Sequence, residues 1–221
     1  MRNINGKIKK PLITGLIFFF IFSLSIDAQE SRAGIIGGLN LSYLSTDKAN
    51  DNNIIPGFHV GVWGKKMITD QFGIQPEILY SAKGMKTVYS SDFLGFNVTD
   101  GTTKLNLNYI DIPVYLTFNL ADDFDFHLGP YVGFLMNAHM STDAQILESI
   151  NVNNEDDIDR SKFNTLDAGI TGGLGFSIEP MTFGFNYNIG LRQVAKDGGD
   201  MENLLGNAKN NTIQVYVGLM F

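Results

Sequence analysis

The residues of this chain that could do chemistry are few, and they alternate with apolar ones. Glu77, Asp111, Asp167 and Glu179 fall on the polar parity of their segments, as do Lys65, Lys83 and Arg192. If that parity is buried, these charges must pair, because an isolated buried charge costs several kcal/mol or more. Three outcomes are open: an internal salt-bridge plug, a narrow polar pore, or a catalytic carboxylate pair. Nothing marks a substrate cleft, so the expectation is a structural network of Lys65, Glu77, Lys83, Asp111, Asp167 and Arg192. His59, His127 and His139 lack metal-ligand spacing. The first two sit beside aromatics on the polar parity and read as hydrogen-bonded fillers. A Ser-His-Asp relay lacks the G-x-S-x-G mark. The stretch "INVNNEDDIDRSK" (150–162) offers Asn153, Glu155, Asp157 and Asp159 to Ca²⁺. It has no central glycine and no fixed ligand pattern, so a solvated loop is expected there. No catalytic, metal or cofactor site is expected, and the protein reads as a non-enzyme.

Composition narrows the classes further. The chain has 221 residues, a net charge of −7 and no cysteine. Disulfides, thiol nucleophiles, cysteine metal sites and a lipid-bearing cysteine are therefore excluded. An acidic chain without basic runs is a poor partner for nucleic acid, which needs clustered Lys and Arg.

The elements that must carry the polar parity come next. "MRNINGKIKK" is basic, "LITGLIFFFIFSLSI" (12–26) is apolar, and "DAQ" follows. That order reads as a signal peptide over residues 1–28, leaving 29–221 as one β-barrel domain. The apolar run is too short for the roughly 20 residues of a spanning helix.

Beyond it, alternation recurs in eight segments: 34–45, 57–66, 72–83, 104–118, 126–136, 166–178, 182–192 and 211–221. In the last, Ile213, Val215, Val217, Leu219 and Phe221 occupy every second position. Period 2 with one apolar face is the signature of a strand. Connections alternate between short ("TDQ", "ADD", "EPM") and long (roughly 46–56, 84–103, 138–164 and 193–210). Short turns at one rim and long loops at the other describe an all-β, eight-stranded antiparallel up-and-down transmembrane β-barrel.

The polar parity is rich in Gly, Ser, Asn and Thr, and poor in the Lys and Glu that coat soluble sheets. Small residues beside Trp63, Tyr131 and Tyr216 suit the lumen of a narrow ring. The apolar face is therefore expected to meet lipid, and the last strand must pair with the first. Two features fit less simply. Leu105 and Leu107 lie off the apolar parity of Ile110–Phe118, which predicts a bulge near Asn108. Pro76, Pro113 and Pro130 interrupt strands, which predicts local bulges there too.

The segments "FGIQPEILYSAKG", "YIDIPVYLTF", "LGPYVGFLM" and "FNTLDAGITGGLGF" resemble the PorT-like outer-membrane β-barrel family of Gram-negative bacteria. The resemblance covers nearly all of 34–221. It implies residence in the outer membrane, contact with outer-membrane lipid, and delivery by the barrel assembly machinery. Val217, Leu219 and Phe221 resemble the C-terminal signal which that machinery reads. A monomer is expected, with a structural, adhesive or secretion- and transport-accessory role. Any protein partner would meet the long extracellular loops. The rival readings are a small porin-like channel, a soluble periplasmic or secreted ligand-binding barrel, and an outer-membrane lipid hydrolase or acyltransferase.

Overall fold

The computed structural model describes residues 31–46, 52–93, 96–146 and 150–221. The leader expected over 1–28 lies outside them. Eight long strands follow in chain order. They are β1 (Ser31–Ser45), β2 (Ile55–Met67), β3 (Phe72–Phe93), β4 (Phe96–Ala121), β5 (Phe124–Ile146), β6 (Leu166–Ile178), β7 (Met181–Gln193) and β8 (Lys209–Met220). Each pairs antiparallel with its sequence neighbours. β8 returns to β1 in unbroken register from Gly34↔Met220 to Ser45↔Lys209, closing the ring. Closure leaves no barrel strand with a raw edge, which a hydrocarbon setting demands.

The side chains sort by parity as alternation requires. Ile35, Leu39, Phe58, Val60, Val62, Ile78, Phe185, Ile189, Val215 and Leu219 point outward and are exposed. Asn40, His59, Ser81, Lys83, Asp111, His127, Asp167, Asn186 and Gln214 point inward and are buried. An inverted distribution of this kind is unstable in water and stable in lipid. At the short-turn rim Phe72, Phe118 and Phe126 form an outward aromatic row, with centroid spacings of 5.3 and 6.4 Å. Such girdles sit at the membrane interface.

Small residues make room for large ones inside. A Cβ on Gly169 would run into Ile189 O and lie 2.6 Å from the Tyr131 ring, and one on Gly34 would run into Leu219 O and lie 2.8 Å from Trp63 Nε1. The lumen of an eight-stranded ring is filled only by this alternation of sizes.

Three expectations are corrected. The segments 84–103 and 138–164 are largely sheet, not loop. β3 and β4 continue as a paired hairpin up to Phe93↔Phe96, and β5 runs on to pair with an accessory strand, Ile150–Ile158. These extensions lack a continuous run of alternating apolar residues, so alternation did not reveal them.

The bulge lies in β5, not in β4. Asn108 faces Asn137 while Tyr109 faces Leu135, so Met136 is the extra residue. Leu105 and Leu107 keep the inward parity of Tyr109 and Asp111, and are buried. They are off pattern because the upper lumen is apolar.

The prolines cause no slip of register. Pro76, Pro113 and Pro130 each fall in a gap in one ladder. Pairing resumes beyond it in the same frame, as from Leu79↔Asp111 to Pro76↔Val114. Each proline removes one donor, and the strands part locally rather than inserting a residue.

Candidate functional site

The interior is built in two layers. In the upper polar layer Lys83, carried by β3, is fully enclosed. Its Nζ lies 2.8 Å from Asp111 Oδ2 and donates to Asp111 Oδ1 at 3.1 Å. It lies 3.6 Å from Asp167 Oδ2 across the lumen. The Tyr109 and Tyr131 rings flank the ammonium with centroids at 5.0 and 4.8 Å, a cation–π arrangement. Tyr131 Oη donates to Asp167 at 3.3 Å, and Asn210 Nδ2 donates to Asp167 at 3.0 Å and to Tyr109 Oη at 3.2 Å. One cation thus holds two carboxylates, and only Asp167 Oδ1 of the acid pair meets neither the ammonium nor a donor.

The lower polar layer centres on His127. Its Nδ1 lies 2.8 Å from Asp125 Oδ1, and its Nε2 lies 2.6 Å from Asn186 Oδ1. Lys65 reaches the same Asp125 at 3.1 Å. Asn186 Nδ2 donates to Tyr115 Oη, tying β7 to β4 across the lumen. Between the layers, Asn40 Oδ1 lies 2.8 Å from His59 Nδ1 and accepts from Gln214 Nε2 at 3.1 Å. Neither imidazole has a serine among its partners, so the geometry of a nucleophilic relay is not assembled at either one. Among the described residues no three His, Asp or Glu side chains gather as a metal site.

An apolar lid covers these layers at the long-connection end. Leu44, Leu105, Leu107 and Leu135 rise from the wall. Phe163, Val194, Met201 and Leu205 descend from the connections, which include the short helix α1 (Asp200–Leu205). Polar contacts pin the lid: Thr46 Oγ1 donates to Leu205 O at 2.7 Å, and Asn164 Nδ2 donates to Gln193 O and Ala195 O. At the opposite mouth Arg32, Trp63, Lys65 and Tyr216 line a cleft with about 20 Å³ of free space. That is room for about one water.

A ring of eight strands with lipid-type polarity outside and paired charges inside narrows the family. The model of the outer membrane protein beta-barrel domain matches residues 27–196. The chain belongs to this family of outer-membrane β-barrels. The exposed apolar band therefore faces outer-membrane lipid. No curated protein matches the sequence.

Among solved structures the chain is similar to the attachment invasion locus protein Ail of Yersinia pestis. Identity is 13%, with 87% of this chain and all of that one covered, at a TM-score of 0.44. Neisserial surface protein A gives the same identity, coverage and score. OprG of Pseudomonas aeruginosa is also 13% identical, with 89% and 99% covered and a TM-score of 0.33.

Placed on this barrel, the expected network divides. Lys83, Asp111 and Asp167 come together. Lys65 joins Asp125, an acid that the sequence reading missed although it shares the inward parity of His127. Glu77 is enclosed and accepts from Gln75 Nε2 at 2.8 Å, while its Oε2 has no partner. Arg192 is excluded: it stands exposed near the end of β7, where the β7–β8 register shifts between Ile189↔Asn211 and Gln193↔Lys209. Glu179 is also outside, in the β6–β7 turn, where it meets Arg32 at 3.3 Å. Parity holds only where pairing is regular: Arg192 sits at a register shift and Glu179 in a turn.

His139 is on the β5 extension and lies 3.1 Å from Asp157 of the accessory strand. The 150–162 stretch, expected as a solvated loop, is instead strand over Ile150–Ile158 and a 3₁₀ turn over Arg160–Lys162. Val217, Leu219 and Phe221 face outward on the lipid side of β8.

Proposed function

We propose that this protein is a sealed outer-membrane barrel that acts as a scaffold. It holds a projecting sheet outside the cell for contact with a protein partner, in a structural, adhesive or secretion- and transport-accessory role. The observation that carries this is the continuation of β3, β4 and β5, with the accessory strand, as paired sheet far past the ring. A scaffold of this kind positions a binding surface more rigidly than a loop would. The short turns over 68–71, 122–123 and 179–180 are assigned to the periplasm by analogy with other outer-membrane barrels.

The lid and the filled lumen favour a closed barrel over the porin-like alternative. The outward apolar band argues against the soluble ligand-binding alternative. We read the protein as a non-enzyme and a monomer of the PorT-like group, exported with loss of residues 1–28. The outward row Val217, Leu219 and Phe221 is the surface that the assembly machinery would read on β8.

Reconstitution into planar bilayers tests the sealed-scaffold reading. No stable open level is expected, and a reproducible single-channel conductance would favour the pore. Crosslinking in intact cells through a photoreactive residue at Val88 is expected to capture an outer-membrane or extracellular protein. Absence of any adduct would remove the scaffold role.

A further inference from the structure

Above the lipid band, the outer face of the barrel changes character on three neighbouring strands. Ala82, Asn108 and Asn137 form the first row past Tyr80, Ile110 and Phe134 in the β3–β4–β5 registers. Asn108 Nδ2 donates to Asn137 Oδ1 at 2.6 Å. Four residues further along, on the same face, Lys86 lies directly opposite Lys104. Both are half-buried. Like charges directly across an antiparallel pair destabilise it. In the same row Lys86 is flanked by Asn53 and Lys104 by Ser141, with Glu155 one strand beyond Ser141. Among the described side chains no carboxylate meets either ammonium, and Asp157, two residues nearer the lipid band, is engaged with His139. Two adjacent cations with no acid at the positions flanking them form a place for an external anion.

Position selects the occupant. At roughly 3.3 Å per residue and about 40° of tilt, the lysine pair stands roughly 10 Å above the Asn108 row. Its flexible stems can reach down towards the interface while the ammonium groups stay in water. The face is continuous with the lipid-contacting band below it, so whatever caps the neighbouring lipids lies against it. We infer that Lys86 and Lys104 form a binding site for the phosphorylated headgroup of an outer-leaflet lipid. The lysines supply the charge, and the amides of Asn106 and Asn108 lie between them and the apolar band to meet headgroup sugar or ester oxygens. The inference rests on the proposed orientation, with the long-connection end outside the cell.

The test uses the refolded full barrel in zwitterionic phosphocholine micelles, with folding read from gel mobility before and after heating. Bisphosphorylated lipid A, its dephosphorylated form, and inorganic phosphate are added separately. Only the phosphorylated lipid is expected to raise the unfolding temperature of the wild type. K86Q/K104Q is expected to lose that rise and to bind the lipid roughly thirtyfold more weakly, roughly fivefold per lysine. With no anionic lipid present, the double variant should be at least as stable as wild type, since the repulsion is gone. The proposal is overturned if K86Q/K104Q keeps the full rise, if dephosphorylated lipid is equally effective, or if inorganic phosphate alone reproduces it. It is also overturned if the variant is less stable in neutral micelles, because the pair would then have an internal partner. Protease cleavage within 84–103 on intact cells reports orientation separately from binding. Protection there would undo the topology and leave the micelle result standing.

Discussion

Replacing Lys83 with methionine removes the one cation that Asp111 and Asp167 share. The lysine side chain is 1% exposed and its partners 4%, so water cannot substitute for it. Methionine keeps most of the stem volume, which limits the packing loss. What remains is a pair of buried carboxylates with no counter-charge. Breaking a buried pair by deleting one partner costs about 3–5 kcal/mol, more than an exposed pair would by severalfold. The cation–π contacts with Tyr109 and Tyr131 at 5.0 and 4.8 Å would add to that loss. With a urea slope of about 2 kcal/mol/M, the midpoint of unfolding should fall by roughly 2 M.

The assay is reversible urea unfolding in lipid vesicles, followed by the fluorescence of Trp63. K83M/D111N/D167N, which neutralises all three, should recover most of the midpoint. Coincident curves for K83M and wild type would refute the reasoning. So would a triple variant as weak as the single one, because the loss would then come from the stem and rings rather than from charge.

Other outcomes follow from the same architecture. Gly169→Ala sets a Cβ against Ile189 O and 2.6 Å from the Tyr131 ring, and overpacking of about 1–3 kcal/mol should lower the urea midpoint. Val215→Arg places a charge on the outward row of β8, where about 2–4 kcal/mol is the cost near the bilayer midplane; vesicles should show it, and an unchanged midpoint would contradict lipid contact there. Leu205→Asp puts a carboxylate into the apolar lid. It should loosen the lid without unfolding the ring, read as faster amide exchange at Leu105 and Leu107 while β8 amides stay protected. Arg192→Ala should change stability by less than about 0.5 kcal/mol, since the residue is exposed at the β7–β8 register shift.

Alternation is a local property, and it located the core of every barrel strand. A residue's parity needs only its neighbours in the chain, so Ile213 to Phe221 declared an outward face without any partner being known. The same parity placed Lys83, Asp111 and Asp167 inside, and the glycines beside them as space for Tyr131 and Trp63. It failed where one side of the strand was not apolar. The β3–β4 hairpin over 84–103 scatters its apolar residues, Met85, Val88, Phe93 and Phe96, among polar ones on both parities, so its pairing left no period to read. Leu105 and Leu107 looked out of register because the sequence could not tell an apolar lid from lipid.

Which charges meet was settled by the tertiary structure alone. Lys65 lies opposite Asp125, and Lys83 reaches Asp167, only because ring closure and strand stagger bring β2, β3, β5 and β6 to particular heights. Arg192 has the right parity but sits where the β7–β8 register shifts, and it falls outside. Parity along a strand is determined by the chain itself, whereas height around a closed ring depends on the register of all eight strands together.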